Sequence, residues 1–276
     1  MWIKGNAGIA RRELKPSQHD LSLCNSFCGY RSRFVRCPQF FSNGRINASP
    51  DMSLDSLLTP RAQRNLDMLI EAIGNCPDSI QSALRLCLTA ASGQMTRMVF
   101  AVSGRGKTIG KSSEKVEVGS WVIGYWRPPL HFEVNVWNCF ENRFQKLLKA
   151  LKGLDEKRDT VASSSIADVV GYKAAFHIEL SDCRKALKEI PDNTAALVIT
   201  DPPHSDRVPY LELSEFWNSL LGMKPAFEDE IVISNAKERG KGEMQYQTSM
   251  RMFFQESARI LAVDGHLVVL LSQRWV

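Results

Sequence analysis

Apolar residues recur every three or four positions along the first half of the chain, a pattern typical of amphipathic helices. After Pro60 they predict one helix that ends near Asn75 and Pro77, and a second helix over 78–92. Another helix is expected to continue through 147–154. The buried face of the second helix is expected to carry Ile80, Ala83, Leu84, Cys87 and Leu88.

The pattern changes in the carboxy-terminal part, where short β-branched runs alternate with amphipathic segments. Asp264-Gly265 is expected to form a turn between the last helix and the last strand. This alternation predicts a doubly wound α/β sheet. The pattern predicts strands over 173–180, 196–200 and 266–271, and helices over 182–189, 211–221 and 249–261.

These patterns divide the chain into three parts. Residues 1–50 are basic and irregular, residues 51–155 are helical and rich in aromatics, and residues 166–276 form the α/β part. The polar run 156–165 is the expected linker. The stretch 103–110 contains glycines and a lysine without the spacing of a phosphate-binding loop, so it is interpreted as a basic surface loop.

Composition narrows the class of protein. The chain has 276 residues, of which 44% are hydrophobic and 24% charged, which suits a folded protein rather than a disordered one. Because it has no apolar run of about 18 residues, no transmembrane helix is predicted. The basic start lacks the apolar region of a secretory signal. Seven dispersed cysteines favour a reducing, cytoplasmic location over a disulfide framework.

The positive charge is concentrated at the amino terminus. Residues 1–50 hold eight Lys or Arg against Glu13 and Asp20, whereas the other 226 residues together carry a net charge of −1. Such a segment is typical of contact with nucleic-acid phosphates, and equally of a passive terminal tail.

Three cysteines in the same segment suggest a metal site. Cys24 and Cys28 are four residues apart, and Cys37 follows nine residues later. Zinc requires four tetrahedral ligands, so His19 or a residue from elsewhere would have to complete the site. The alternative interpretation is three unrelated free thiols.

The segment 118–144 combines aromatic and basic residues. Arg127, His131 and Arg143 are interleaved with the rings, so the segment could stack nucleobases, although core packing is the favoured interpretation for most of the rings. The aromatic residues are Trp121, Tyr125, Trp126, Phe132, Trp137, Phe140 and Phe144.

The strand 196–200 leads directly into Asp201-Pro202-Pro203-His204. In α/β sheets, ligands bind beyond the carboxyl ends of the strands, which is where this tetrapeptide is expected. Two prolines remove two N–H donors and leave outward carbonyls beside a carboxylate and an imidazole. A tip rich in acceptors suits the amino group of a nucleobase. Its alternative is an ordinary strand-to-loop turn.

The motifs around this tetrapeptide resemble the amino-group DNA methyltransferase superfamily. The stretch 181–204 is similar to that superfamily's strand-end acid, helix and "DPPY" motif, and 254–269 is similar to its following helix and strand. The helix start Tyr210–Trp217 resembles bacterial adenine-specific methylases that contain a zinc ribbon. Looser similarities cover Leu58–Arg61 and Asn135–Arg143.

The resemblance implies a Rossmann-like, partial S-adenosylmethionine-dependent methyltransferase sheet behind a mostly helical amino-terminal part. It implies that Asp201 and the Pro202 carbonyl accept the two N–H groups of an exocyclic amine, most directly adenine N6 in DNA. The motif of the family also includes the positions of Pro203 and His204. His204 stands where the family usually has an aromatic ring that stacks on the flipped base. Asp182 would hold the adenine end of the cofactor.

The family's glycine-rich cofactor loop has no counterpart in this sequence. A second chain is therefore expected to supply that loop, and zinc at the three cysteines would be an additional cofactor. The alternative function is a catalytically inactive or partner-dependent nucleic-acid-binding protein. A base in RNA is the alternative substrate within the methyltransferase hypothesis.

Overall fold

The computed structural model describes residues 2–3, 12–13, 15–103, 116–119, 124–152, 162–163 and 165–270. Within these, 2–3, 12–13, 101–103, 116–118 and 162–163 are described by their backbone alone. The helices are α1 (Gln18–Asn25), α2 (Leu54–Leu57), α3 (Pro60–Gly74), α4 (Asp78–Ser92), α5 (Val136–Leu151), α6 (Ile166–Val170), α7 (Cys183–Ala186), α8 (Tyr210–Leu220) and α9 (Glu243–Ile260).

The strands are short and pair two at a time among the described residues. Two pairs are antiparallel, and two pairs are parallel. The antiparallel pairs are β1 (Trp2–Ile3) with β2 (Arg12–Glu13) and β3 (Phe100–Ser103) with β4 (Val116–Gly119); the parallel pairs are β5 (Ala162–Ser163) with β6 (Phe176–His177) and β7 (Ala195–Thr200) with β8 (Leu261–Val269).

The two helices predicted after Pro60 are confirmed. Helix α3 begins with a Thr59 side-chain cap and Pro60 in its first turn, and α4 follows Pro77, as the sequence signals require. On α4, Cys87 and Leu88 are buried as predicted, but Ile80 is 46% exposed. The prediction for Ile80 is wrong because it lies in the first turn, where the helix has not yet reached the core.

One hydrophobic core joins the helices of the amino-terminal half to α8. The fully buried Leu57, Leu66 and Tyr125 belong to this core, and so does Phe216 of α8. The hydroxyl of Tyr125 donates to the backbone carbonyl of Glu212 at 2.8 Å, which adds a buried polar contact to the packing. Helix α8 is therefore anchored in the same core as α3, α4 and α5.

The segment that crosses α3 is held by a single buried carboxylate. Asp67 on α3 accepts hydrogen bonds from the hydroxyls of Tyr30 and Ser32 and from the amides of Arg33 and Phe34. Burial alone would raise the pKa of Asp67, but these hydrogen bonds outweigh it and lower the pKa. The folded chain therefore stabilises the ionised form.

Asp67→Asn is expected to lower the free energy of unfolding at pH 7 by about 3 kcal/mol, since hydrogen bonds to a charged group are lost. A lowered folded-state pKa gives stability that is complete above the unfolded pKa of about 3.9 and is lost as the pH falls through the folded value. Urea unfolding at several pH values should show a shallower acid loss in the variant. A variant that loses stability at low pH as steeply as the wild type would contradict this role.

The carboxy-terminal strands confirm part of the predicted α/β pattern. Strand β7 matches the predicted 196–200, and β8 lies beside it in parallel after α8 and α9. The predicted strand 173–180 shortens to β6, which pairs with β5 rather than with β7 among the described residues. The Rossmann-like methyltransferase sheet stays a prediction.

The turn predicted at Asp264-Gly265 lies inside β8. The pairing passes from Ala195 opposite Leu261 directly to Leu197 opposite His266, so the intervening residues form a bulge. At Gly265 a Cβ would lie 2.9 Å from the Ala195 carbonyl oxygen, so only glycine fits this approach of the two strands. The turn prediction is wrong because the glycine serves this close contact within the strand.

One face of the β7–β8 pair lies open. Residues paired across two parallel strands lie on the same face of the sheet. Leu197, Ile199 and Val268 therefore share one face, and Leu270, two residues after Val268, continues it. All four are exposed, with Ile199 at 64%. Parallel sheets are normally covered on both faces, so this row of apolar side chains is unusual.

Candidate functional site

The tetrapeptide Asp201-Pro202-Pro203-His204 follows β7 at the carboxyl end of the parallel pair, as predicted. The strand pairing continues to its last residue, since the Leu270 amide donates to the Thr200 carbonyl at 2.9 Å. The Asp201 side chain is 67% exposed, while the His204 ring is only 21% exposed. His204 Nε2 lies 3.4 Å from Asp201 Oδ1, so the carboxylate and the imidazole share one small surface.

The two proline carbonyls differ in their partners. The Pro203 carbonyl accepts a hydrogen bond from the Tyr246 hydroxyl at 2.5 Å and another from the Ser205 amide at 2.9 Å. The Pro202 carbonyl accepts none from the residues that the structure describes. At the strand end the Asp201 carboxylate is therefore exposed, whereas the Pro202 carbonyl belongs to a buried residue and has no partner among the described residues.

The loop after the motif is fixed by turns and by neighbouring segments. Ser205 adopts a positive φ of 53°, which few non-glycine residues do, and its carbonyl accepts from the Ile233 amide at 3.1 Å. Asp206 pairs with Arg45 at 3.1 Å. The loop then enters α8 through the buried Pro209. The geometry of the motif is thereby determined by both halves of the chain.

A buried ionic network fixes the start of α8 relative to the segment that follows it. The Arg239 guanidinium lies 2.8 Å from Glu212 and 2.8 Å from Glu230, and all three side chains are under 10% exposed. Arg239 also lies over the rings of Phe41 and Phe227. A cavity of about 410 Å³ lies beside Phe41 and Arg239, next to this network.

A second buried carboxylate, Glu215, ties α8 to the amino-terminal segment. Its Oε1 accepts from Arg36 at 2.7 Å and from the Gln39 amide at 2.6 Å, and its Oε2 has no hydrogen-bond partner among the described residues. Burial raises the pKa of Glu215, and the contacts to Gln39 and Arg36 only partly offset this effect. This carboxylate positions α8 and faces no open surface.

Asp182 lies at the amino terminus of α7, where it caps the helix. Its carboxylate accepts from the Arg184 amide at 3.0 Å and from the Arg184 guanidinium at 2.8 and 2.9 Å. Burial alone would raise the pKa of Asp182, but the contacts to Arg184 lower it. Arg184 in turn donates to Ser249 and to the Asp229 carbonyl. With its side chain 4% exposed, Asp182 offers no open acceptor for a ligand.

The three cysteines of the suggested zinc site lie on exposed positions. Cys24 is on α1, Cys28 is in the turn after it, and Cys37 is in the following extended segment. The described residues contain no group of three His, Cys, Asp or Glu side chains arranged to hold a metal ion. Zinc binding stays a prediction.

The aromatic segment divides between the core and the surface. Tyr125 and Phe140 are buried, whereas Trp126 and Trp137 are 46% and 56% exposed. Trp121 lies outside the described residues. Trp126 packs edge-on against Phe100, so its ring is partly engaged. Core packing thus accounts for part of the segment, and base stacking stays a hypothesis for the exposed rings.

Sequence reasoning missed two residues that shape the site. Tyr246 binds the Pro203 carbonyl from the first turn of α9, which begins at Glu243 rather than near 249. The signal that could have found it is Gly242, a helix-capping residue immediately before an acidic first turn. Arg239 could not have been found, because nothing in its local sequence distinguishes it from a surface arginine.

Comparisons with known proteins add no relative: no family model, curated protein or solved structure matches the chain. Function therefore has to be argued from the site itself and from the motifs it contains. No helix in the part of the chain that the structure describes is both long and apolar enough to cross a membrane.

Proposed function

We propose that this chain carries the target-amine site of an S-adenosylmethionine-dependent nucleobase amino-methyltransferase, acting most directly on adenine N6 in DNA. The observation that carries the proposal is the exposed Asp201 carboxylate at the end of β7, next to the Pro202 carbonyl, which has no hydrogen-bond partner among the described residues. An exocyclic amine has two N–H groups, and the Asp201 carboxylate and the Pro202 carbonyl can accept one each. Such pairing draws both protons away from the nitrogen and makes its lone pair more nucleophilic.

The engagement of the Pro203 carbonyl supports this assignment. Tyr246 and Ser205 occupy that carbonyl and fix the loop, so the free acceptors are already oriented before a base arrives. Preorganised groups of this kind contribute most of the catalytic effect in polar transition states. His204, next to Asp201, offers a planar ring against which a flipped base could stack.

The described residues fit the target amine better than they fit the methyl donor. Asp182, the residue that the family resemblance assigns to the cofactor's adenine, is buried against Arg184. The sequence also lacks the glycine-rich loop of the family. We therefore assign the binding surface for S-adenosylmethionine to a second chain, and the open apolar face of the β7–β8 pair supports the idea that the sheet is completed by such a partner.

A titration with modified nucleosides tests the amine site without requiring methyl transfer. Adenosine is expected to shift the NMR amide signals of Asp201, His204 and Ser205, since the base binds beside the motif. N6,N6-dimethyladenosine has no N–H to donate and is expected to leave these signals in place. Equal shifts with both nucleosides, or none with adenosine, would refute the proposed amine recognition.

A second function, a nucleic-acid-binding protein without activity, is favoured by one observation. The ion pair of Asp182 with Arg184 closes the position expected to bind cofactor. Methyl transfer separates the two functions, because the inactive protein would bind nucleic acid and transfer nothing with any partner.

A further inference from the structure

Two pairs, each of one arginine and one aromatic ring, lie where the segment 30–34 packs against α3. The Arg64 guanidinium lies over the Tyr30 ring, 5.9 Å from its centroid, and the Arg33 guanidinium lies 5.6 Å from the centroid of Phe34. Arg33 and Phe34 are exposed. We call these four residues the arginine–aromatic cluster.

The cluster is built on a backbone that α3 holds in place. Asp67 binds the Tyr30 hydroxyl and the amides of Arg33 and Phe34, and Gln63 accepts from the Ser32 amide at 3.0 Å. Asp67 and Gln63 are both completely buried. Arg33 therefore projects from a fixed loop and Arg64 from α3 itself, so little order has to be gained when a ligand binds.

Neither arginine of the cluster has a carboxylate partner within 4 Å among the described residues. The neighbouring arginines do have carboxylate partners: Arg31 pairs with Asp55 at 3.0 Å, and Arg61 pairs with Glu133 at 2.8 Å. The oxygens of Asp67 are occupied by hydroxyl and amide donors. The Arg33 side chain also makes a hydrogen bond with Tyr30. Two guanidinium groups thus remain without a carboxylate partner among the described residues, and such groups suit phosphate oxygens.

We propose that the arginine–aromatic cluster binds the phosphate backbone of a nucleic acid. The proposal rests on the proposed function for the choice of ligand. It adds to that function a surface that would bind the nucleic-acid strand at a point distant from the base that reacts. Three of the four residues of the cluster, Tyr30, Arg33 and Phe34, belong to the segment 1–50, whose sequence contains eight Lys or Arg. The Tyr30 and Phe34 rings keep the two guanidinium groups in place, as cation–π contacts do.

The test uses the full chain and a fluorescent 20-nucleotide DNA, both single-stranded and duplex, with anisotropy measured over a range of salt concentrations. Arg33→Gln combined with Arg64→Gln is expected to weaken binding about tenfold or more at 0.1 M salt. The salt slope for duplex should fall by about 1.8, as expected for two lost phosphate contacts. Arg85→Gln combined with Arg251→Gln, which removes equal charge from exposed positions on α4 and α9, is the matched control.

The proposal that the cluster binds phosphates is refuted if both double variants weaken binding equally or if the cluster variant binds like the wild type. It is also refuted if the wild type binds neither the single-stranded nor the duplex DNA. It is also refuted if the cluster variant loses binding only to vesicles containing phosphatidylserine. Circular dichroism and urea unfolding check that the variants fold. The nucleoside titration is independent of this result: it fails alone if the amine site is wrong, whereas the salt series fails alone if the cluster is wrong.

Discussion

Asp201→Asn is expected to lower methyl transfer by about 10²–10³-fold, the cost of removing one preorganised polar group from a catalytic site. The substitution keeps the shape of the side chain but replaces one acceptor oxygen with an N–H donor that faces the N–H of the target amine. Because the Asp201 side chain is 67% exposed, the fold should not depend on its charge. Transfer is measured with labelled S-adenosylmethionine and unmethylated DNA, on the chain together with any protein that co-purifies with it.

Asp206→Asn is the matched control for this prediction. Asp206 is an exposed carboxylate in the same loop, but it pairs with Arg45 rather than facing the strand end. Asp206→Asn should leave transfer within about twofold, because Arg45 still donates to the Asp206 backbone carbonyl and because exposed ion pairs contribute little. If a folded Asp201→Asn protein transferred methyl groups as fast as Asp206→Asn, the acceptor assigned to Asp201 would be wrong.

Arg239→Met is expected to cost about 3–5 kcal/mol of unfolding free energy, because it leaves Glu212 and Glu230 buried without their cation. The midpoint of urea unfolding, followed by circular dichroism, measures this loss. Arg239→Lys keeps the charge but loses the donation to the Phe227 carbonyl and the planar contact with the rings, so it should cost less. A methionine variant as stable as the lysine variant would show that the charge itself does not matter.

Local sequence signals predicted the elements whose stability is local. Helices α3 and α4 follow from Pro60 and Pro77 together with the apolar spacing, and β7 follows from its β-branched run. The Asp201–His204 tip was placed correctly because a strand end is defined by the strand before it. In each case the determining residues lie within a few positions of the element.

Features that depend on distant residues could not be predicted in this way. Asp67 looks like an ordinary polar residue of an amphipathic helix, yet it is completely buried because a segment over 30 residues earlier folds onto it. Asp182 stands at the expected helix start, but its engagement with Arg184 depends on Ser249 and Asp229, which are distant in sequence. From the sequence, Gly265 is interpreted as a turn residue, because its role depends on the close contact with the Ala195 carbonyl of the neighbouring strand.

Helix α8 follows the motif after the loop 205–209 and ends in the core of the amino-terminal half. A fragment that starts after residue 164 would contain the motif but would leave Phe216, Leu220 and Glu215 without the partners that bury them. The stability of the loop that carries the motif is therefore coupled to the packing of the first half, and such a fragment is not expected to hold the motif in its native geometry.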